Sequence, residues 1–324
     1  MKALTIESYG SPDVLQVKDV EKPEPKKNEV LIKIFASSVN AGDWHLMRAD
    51  PALVRLYSGL LKPRFKILGC DVAGVVEAVG KDIKHFKVGD EVYGDLSSSS
   101  FGGFAEYTCA KEDSLAIKPK NLNFEEAASV PSAALTALQG IRDYGQAGPG
   151  KSILINGASG GVGSFALQIA KALGAHVTAV GSSRKLESMK SMGADEVIDY
   201  CKEDFTQNGK TYDVIHGVNG YHPIGDYAKS LSKSGIYVMS GGSNRQLMEV
   251  SLKGPFMSKK NGQRFKNYLV NPNKSDLVFL TDLIEQGKIK PQIDCSFPLE
   301  QGADAVRYLE AGKAKGKVVI SITE

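Results

Sequence analysis

A glycine-rich segment is the first place in the chain where residue types and spacing point to chemistry. Residues 154–163 read LINGASGGVG, with four glycines and no charged side chain. An apolar strand pattern precedes the glycines and an amphipathic helical pattern follows them, so they occupy a strand-to-helix turn. Free backbone N–H groups and the positive end of a helix dipole converge at such a turn and bind phosphate. The segment therefore predicts a pyrophosphate site.

The glycine spacing is a variant of the dinucleotide fingerprint. Gly157, Gly160 and Gly163 form G-x-x-G-x-x-G rather than the standard G-x-G-x-x-G. Without Cβ atoms, Gly160 and Gly161 would let a diphosphate approach the backbone, and Gly163 would let the helix pack close to the strand. A tight turn without a ligand is the alternative, and the flanking strand and helix favour the nucleotide site.

The residues after the second strand of the predicted dinucleotide-binding fold indicate whether it binds NADH or NADPH. An NAD site usually offers an acid there to hold the ribose hydroxyls. This chain has Gly181, Ser182 and Ser183, and then Arg184 and Lys185. A guanidinium and hydroxyls can hydrogen-bond a 2′-phosphate, which an acid would repel. The segment favours NADPH over NADH, with a solvated helix start as the alternative for the two basic residues.

Composition limits the classes of protein to which the chain can belong. Its 324 residues fit about two domains, and 24% charged residues are ordinary for a globular protein. A net charge of +3 is too small to predict a nucleic-acid partner. The N-terminus lacks the apolar core of a signal peptide, and no long apolar run follows, so we expect a cytoplasmic protein.

The four cysteines are far apart in the sequence. No C-x-x-C pair occurs, and no histidine is spaced to complete a zinc site. We therefore expect scattered buried thiols rather than disulfides or metal ligands. The cysteines are Cys70, Cys109, Cys201 and Cys295.

The pattern of secondary structure changes along the chain. The first part reads as short strands, with Val30, Ile32 and Ile34 on one face, which predicts a small β barrel or sandwich. A helical stretch follows, in which Pro131 breaks or starts a helix. Strands and helices then alternate about every 20 residues, which predicts a parallel sheet covered on both faces. The predicted strands of that sheet are 152–156, 176–180, 196–200, 212–218 and 235–241.

The C-terminal part breaks this alternation. It contains two helix-like patterns and the closing strand KGKVVISI, too little to bury a core of its own, so we expect it to return to the first domain. The predicted class is α/β, with a doubly wound parallel sheet and a β domain that the C-terminus completes. The predicted boundaries are 1–125, 126–272 and 273–324.

A set of motifs in order along the chain resembles the medium-chain dehydrogenase/reductase superfamily. They are VNAGDW, GCDVAGVVEAVG, VGDEVYG, GGFAEY, NGASGGVG, GADEVIDY and GKVVI. The resemblance covers nearly the whole chain and is strongest to the zinc-free quinone oxidoreductase, or zeta-crystallin-like, branch. It implies a chaperonin-ten-like (GroES-like) catalytic domain, a Rossmann cofactor domain and an active site in the cleft between them.

The predicted reaction depends on the residues that differ from those of the zinc-dependent relatives. The resemblance matches Asn40 of this chain to a zinc-binding Cys of those relatives. It matches Cys70 to their zinc-binding His, and Asp71 to the acid that follows that His. The third ligand and the four-cysteine structural lobe are also missing, which implies that no metal is bound. Without zinc to polarise a carbonyl, the acceptor itself must spread the charge left by hydride attack, as quinones and α,β-unsaturated ketones do.

The resemblance also assigns site residues. Asn40, the main catalytic candidate, would hydrogen-bond near the nicotinamide or substrate, and Thr136 would help position NADPH. The other cofactor residues that the resemblance implies are Ser159, Gly160, Gly161 and Val162 at the pyrophosphate, Ser182, Arg184 and Tyr200 at the 2′-phosphate, and Gly241 and Lys317 at the nicotinamide half.

The proton donor stays open at this point. Tyr57 is a weak candidate, because an aromatic residue there more often forms a pocket wall. Asp43 is at least as suited to tying its loop together. The loop around Tyr57 is apolar and basic. It could cover a pocket or rest on a membrane surface as a peripheral contact, although a plain packed helix is the commoner outcome for such a pattern. The basic segment 258–270 resembles an edge that pairs across a homodimer.

Three functions remain in view. The first is NADPH-dependent, zinc-independent reduction of quinones or other electron-poor conjugated carbonyls. The second is a double-bond reductase for enals, enones or acyl-CoA thioesters. The third is a non-catalytic, crystallin-like NADPH-binding protein with an RNA or protein partner, against which the glycine turn, Arg184 and the small net charge argue.

Overall fold

The computed structural model describes residues 1–99, 101–312 and 314–322, and the side chains of residues 259–261 lie outside this description. The chain folds into two compact units. Unit 1 comprises Met1–Leu135, Asn271–Glu285 and Pro291–Glu324, and unit 2 comprises Thr136–Val270 and Gln286–Lys290.

The described residues form strands and helices whose bounds are as follows. The strands are β1 (Lys2–Thr5), β2 (Gln16–Asp19), β3 (Glu29–Val39), β4 (Asp71–Val79), β5 (Glu91–Asp95), β6 (Tyr107–Lys111), β7 (Leu115–Ile117), β8 (Ser152–Asn156), β9 (His176–Gly181), β10 (Glu196–Asp199), β11 (Tyr212–Gly217), β12 (Leu231–Met239), β13 (Arg264–Asn267), β14 (Ile293–Pro298) and β15 (Lys317–Ser321). The helices are α1 (Ala41–Arg48), α2 (Arg55–Ser58), α3 (Phe124–Ala128), α4 (Pro131–Leu138), α5 (Gly161–Ala172), α6 (Leu186–Ser191), α7 (Ile224–Lys229), α8 (Asn244–Asn261), α9 (Lys274–Glu285) and α10 (Gly302–Glu310).

Unit 1 is built on a seven-stranded sheet. Six strands follow the order β14-β15-β3-β4-β5-β7, and β6 also pairs with β3. The long strand β3 buries Val30, Ile32 and Ile34 in one cluster, which confirms the predicted face. The C-terminal strand β15 lies antiparallel to β3, with Val318 opposite Val39. The C-terminus therefore completes the β domain, as its apolar closing strand predicts.

Unit 2 contains a parallel six-stranded sheet in the order β10-β9-β8-β11-β12-β13. All five predicted strands are present, although β12 begins at Leu231 and ends at Met239, earlier than the pattern indicates. The strand order reverses between β8 and β11, and open α/β sheets bind ligands at the carboxyl ends of their strands at such a point. The doubly wound class is confirmed, and the switch point adjoins the glycine turn.

Two local predictions have different outcomes. Pro131 is the first residue of α4, where its missing N–H costs no helical hydrogen bond, so it starts a helix rather than breaking one. The prediction of buried thiols is wrong for three cysteines, because only Cys70 is buried. Cys109 and Cys295 are partly buried and Cys201 is exposed, and all four are free thiols. Among the described residues, no helix is long and apolar enough to cross a membrane.

Candidate active site

The glycine turn after β8 has the geometry of an anion site. Gly157 has φ +90°, a left-handed conformation that favours glycine, and Gly160 is the N-cap of α5. A Cβ at Gly163 would lie 2.1 Å from the Gly157 carbonyl oxygen, so only glycine allows this close approach of helix and turn. The first turn of α5 contains no acidic residue. The free N–H groups and the helix dipole therefore favour an anion here.

The other predicted cofactor residues of unit 2 follow the carboxyl ends of neighbouring strands. Ser182 and Arg184 come after β9, Tyr200 follows β10 directly, and Gly241 lies two residues beyond β12. Arg184 is exposed and Tyr200 is 61% exposed, so both can contact a ligand from solvent. The fold thus places these residues along the same edge of the sheet as the glycine turn.

An acid that the sequence prediction missed lies next to Ser183. The Ser183 hydroxyl donates to Asp199 Oδ2 at 2.5 Å, and this bond is the main cause that lowers the pKa of Asp199. The Lys202 ammonium lies 3.9 Å from the same oxygen. Asp199 pairs with Gly181 across β9 and β10, so the acid enters from the neighbouring strand and not from the end of β9. Its carboxylate holds Ser183 rather than standing free.

Behind Thr136 lies a buried polar group that the sequence prediction also missed. The Tyr268 hydroxyl donates to the Thr136 carbonyl at 2.5 Å, and Ser240 Oγ lies 2.8 Å from His216 Nε2. Burial lowers the pKa of His216 to about 4, so the imidazole is neutral at pH 7. Ser240 directly precedes Gly241, so this group fixes the end of β12. A histidine within the apolar run YDVIHGV was the available signal.

Unit 1 contains a buried polar cluster around Asp71. Its Oδ2 accepts hydrogen bonds from Ser38 Oγ at 2.6 Å and from Asn40 Nδ2 at 2.8 Å. The Lys317 ammonium donates to the same oxygen at 3.3 Å and to Asn40 Oδ1 at 2.5 Å. Lys317 and Asp71 form an ion pair whose side chains are 3% and 0% exposed. The Asn40 amide is therefore held in one orientation, between the carboxylate and the ammonium.

Two more carboxyls belong to this cluster. Asp43 accepts from the backbone N–H groups of Asn40 at 2.7 Å and Gly69 at 3.1 Å, so it does tie its loop together. Burial raises the pKa of Asp43 to about 7. Burial and the nearby Asp71 raise the pKa of Asp95 to about 7 as well. The sequence prediction did not single out Asp95, although an acid at the end of the buried strand β5 was a signal.

The cluster does not fit a divalent metal ion in its present form. Donor atoms of Cys70, Asp71 and Asp95 lie within 4.8 Å of one another, the spacing that a metal site needs. However, the Lys317 ammonium is already bound to Asp71 and would repel a second cation. Burial also raises the pKa of the Cys70 thiol well above its usual range, and a thiol must ionise to bind metal. A side-chain ammonium thus neutralises the carboxylate that a metal would need.

Tyr57 reaches this cluster through Ser97, whose backbone N–H donates to Asp95 Oδ1 at 2.8 Å. The Tyr57 hydroxyl donates to the Ser97 carbonyl at 3.3 Å, and no hydrogen bond within the described residues joins it to Asn40 or Lys317. The loop contains only short helical turns, and Leu53, Leu56, Leu60 and Leu61 are exposed, with Leu61 91% exposed. The alternative of a plain packed helix is therefore wrong. The structure brings Asn40 and Lys317 together from far apart in the sequence.

Comparisons with known proteins agree with this architecture. Residues 26–120 match the family model of the alcohol dehydrogenase GroES-like domain, and residues 192–320 match that of the zinc-binding dehydrogenase. The chain is 40% identical to the 2-methylene-furan-3-one reductase of Solanum lycopersicum, over 99% of this chain and 79% of the relative. It is 36% identical to the chloroplast envelope quinone oxidoreductase homolog of Arabidopsis thaliana, over 99% and 98% of the two chains.

A solved structure extends the likeness to a cofactor complex. The chain is similar to the Escherichia coli quinone oxidoreductase complexed with NADPH, with a TM-score of 0.84 and 26% identity over 99% of this chain and 100% of the other. The order of the motifs, the two sheets and these relatives agree along the whole chain. The chain therefore belongs to the medium-chain dehydrogenase/reductase superfamily, in its zinc-free quinone oxidoreductase branch.

Proposed function

We propose that this protein is a zinc-independent, NADPH-dependent oxidoreductase that reduces quinones and other electron-poor conjugated carbonyls. The observation that carries the proposal is the buried ion pair of Lys317 and Asp71, which also orients Asn40. An ammonium there supplies a fixed positive charge and N–H donors, which can stabilise an oxygen anion without a metal.

Unit 2 is the proposed cofactor domain. The turn of Ser159, Gly160, Gly161 and Val162 would hold the pyrophosphate on its N–H groups and on the N-terminus of α5. Ser182, Arg184 and Tyr200 would bind the 2′-phosphate side, and Thr136 and Gly241 the nicotinamide half. The bound NADPH of the Escherichia coli relative supports this choice of cofactor. Bound NADPH supplies the hydride.

Unit 1 is the proposed catalytic domain. Asn40 and Lys317 would contact the acceptor, with Lys317 beside the oxygen that becomes negative. Because a quinone or an enone spreads the added charge over a conjugated system, a single buried ammonium suffices where a simple ketone would require stronger polarisation. This difference predicts that simple ketones and primary alcohols are poor substrates.

The acceptor class has two candidates. One relative is named as a quinone oxidoreductase and the other as a reductase of a 2-methylene-furan-3-one, in which a double bond is conjugated to a ketone. NADPH oxidation with a panel of quinones, enones, enals, acyl-CoA thioesters and saturated ketones, and with NADH in parallel, separates them. Turnover of conjugated acceptors with a preference for NADPH supports the proposal. Tight NADPH binding without turnover of any acceptor would favour the non-catalytic function.

We also propose a homodimer formed through the edge of the unit 2 sheet. Strand β13 is the last strand in the sheet order, and the adjacent helix α8 exposes Met248, Leu252 and Phe256 at intervals of four residues. Lys259 and Lys260, which belong to the predicted basic segment, have side chains outside the described residues. Sedimentation of wild type and Phe256→Lys tests the dimer, because a buried charge at the interface would shift the variant to monomer.

We propose a cytoplasmic protein with at most peripheral membrane contact through the exposed leucines of the Tyr57 loop, which also contains Arg55, Lys62 and Arg64. Fractionation of cells that express the native chain tests both. Recovery in a membrane pellet that high salt releases would indicate the peripheral contact.

A further inference from the structure

The Asp71 cluster contains more negative charge than it can compensate. Asp43, Asp71 and Asp95 are each at most 1% exposed, and Cys70 and Lys317 are 5% and 3% exposed. Among the described residues, Lys317 is the one cation in ion-pair contact with these acids. Three ionised carboxyls beside one ammonium would leave two buried negative charges, which is costly in a protein interior. The cluster therefore stores at least one proton at neutral pH.

Asp71 has hydrogen-bond donors on both of its carboxyl oxygens. Its Oδ2 accepts from Ser38, Asn40 and Lys317, and its Oδ1 accepts from the Ser132 backbone N–H at 2.8 Å. The Cys70 thiol also donates to Oδ1, at 4.0 Å, so five donors, one of them charged, surround the carboxyl group. The carboxyl that holds the stored proton is therefore to be sought where an oxygen lacks a donor.

Asp95 is the carboxyl least stabilised as an anion. Its Oδ1 accepts from the Ser97 backbone N–H at 2.8 Å, whereas its Oδ2 is fully buried and has no hydrogen-bond partner among the described residues. Asp43, by comparison, accepts one backbone N–H on each oxygen. An unpartnered buried carboxylate oxygen is costly, and protonation removes most of that cost.

We propose that Asp95 stores the proton that the reduced acceptor takes up, and that Asp71 and Lys317 deliver it. This inference rests on the proposed function. Carboxyl oxygens of Asp95 and Asp71 lie within 4.8 Å, a gap that one water molecule or a small rotation of a side chain bridges. Asp71 in turn accepts from the Lys317 ammonium. The hydrogen bonds found among the described residues use two of the three N–H groups of Lys317.

The transfer conserves atoms and charge. Bound NADPH would supply a hydride, with two electrons, and the conjugated acceptor would thereby become an enolate or a hydroquinone anion with negative charge on its oxygen. A Lys317 N–H bond breaks as an O–H bond forms on that oxygen, which leaves a neutral amine. The Asp95 O–H bond then breaks, and Asp71 passes the proton on to restore the ammonium. Asp95 finally takes a proton from solvent.

The charged neighbours of Asp95 agree with this storage role. Burial is the main cause that raises the pKa of Asp95, and Asp71 on β4 raises it further. Hydrogen bonds from Ser97 and the charge of Lys317 on β15 lower it, while Cys70 faces it as a neutral thiol. Burial is likewise the main cause that raises the pKa of Asp43, to which Asp71 adds and against which Lys317 acts. The net result is a pKa of about 7, so Asp95 is protonated below that pH and loses its proton above it.

The test combines a pH profile with infrared spectroscopy on the full chain. In wild type, kcat for NADPH oxidation with a quinone should fall as the pH rises above about 7. Asp95→Asn, which keeps the shape of a protonated carboxyl, should lower kcat at pH 6 by about 10-fold or more and remove the alkaline fall. Asp113→Asn, the same acid-to-amide change at an exposed position shortly before β7, the strand that pairs with β5, is the matched control and should retain the wild-type profile.

The infrared measurement does not depend on activity. The carbonyl band of a protonated carboxyl should titrate near neutral pH in wild type, lose one component in Asp95→Asn, and be unchanged in Asp113→Asn. An Asp95→Asn protein that keeps the wild-type kcat and pH profile overturns the relay, and a carbonyl band that is the same in Asp95→Asn as in wild type shows that Asp95 is not protonated. Failure of the wild type to oxidise NADPH with any conjugated acceptor would refute the proposed function instead.

Discussion

The close approach of the glycine turn to α5 makes a quantitative prediction for Gly163→Ala. The added Cβ would lie 2.1 Å from the Gly157 carbonyl oxygen and 2.8 Å from the Ala158 Cα, and both are backbone atoms. Carbon atoms pack at about 3.5 Å or more, so the helix must move by roughly 1 Å. Overpacking of this kind costs about 1–3 kcal/mol, and we expect the free energy of unfolding to fall by about 2 kcal/mol.

Gly160→Ala in the same turn is the matched control. Its added Cβ would meet its nearest neighbour, the Gly157 oxygen, at 3.8 Å, which is ordinary contact, and its φ is −85°. The fold should therefore tolerate the change, with a loss of less than about 1 kcal/mol at this N-cap. The methyl group should instead obstruct the approach of the diphosphate and weaken NADPH binding by about 10-fold.

Urea unfolding without NADPH and calorimetric titration with NADPH measure the two effects separately. The predicted pattern is a stability loss for Gly163→Ala and an affinity loss at near-wild-type stability for Gly160→Ala. A Gly163→Ala protein as stable as wild type would refute the packing argument. A Gly160→Ala protein that binds NADPH as tightly as wild type would refute the assignment of the turn.

Three further predictions follow from the charges of the two units. Lys317→Met leaves the Asp71 carboxylate buried without its ammonium and should lower the free energy of unfolding by about 3–5 kcal/mol in urea titrations; an unchanged midpoint would contradict the ion pair. Arg184→Ser should raise the KM for NADPH by about 10-fold or more and leave that for NADH unchanged, because only NADPH carries the 2′-phosphate. Since the folded pKa values of Asp43 and Asp95 are raised from 3.8 to about 7, the native state binds more protons than the unfolded state in that window. Stability should therefore fall as the pH rises from about 4 to about 7, by at most about 1.4 kcal/mol per pH unit for each group, and Asp95→Asn should reduce the slope.

Features whose residues lie close together in the sequence could be predicted. Gly157, Gly160 and Gly163 lie within one turn, and the apolar periods on either side fix which residues are strand and which are helix. The strands of unit 2 are buried on both faces, so their apolar runs stand out from the helices. The absence of an acid at the end of β9 was equally readable, because cofactor contacts there come from consecutive residues.

The polar cluster around Asp71 in unit 1 could not be predicted in this way, because its residues are far apart in the sequence. Asp71 and Asp95 become neighbours only through the antiparallel register of β4 and β5. Lys317 reaches them because β15 pairs with β3, a contact between opposite ends of the chain. Asp199 similarly reaches Ser183 from a neighbouring strand. Periodicity indicates which face of a strand is buried, but register decides which buried charges meet.

Turnover by metal-stripped protein tests the central claim most directly. The protein is dialysed against a chelator, its zinc content is measured, and NADPH oxidation is followed with a quinone, an enone and a saturated ketone. Full activity with the conjugated acceptors at negligible zinc content, and little with the saturated ketone, is the predicted result. Activity that disappears on chelation and returns with zinc would contradict the assignment of the Lys317 ammonium as the cation of this site.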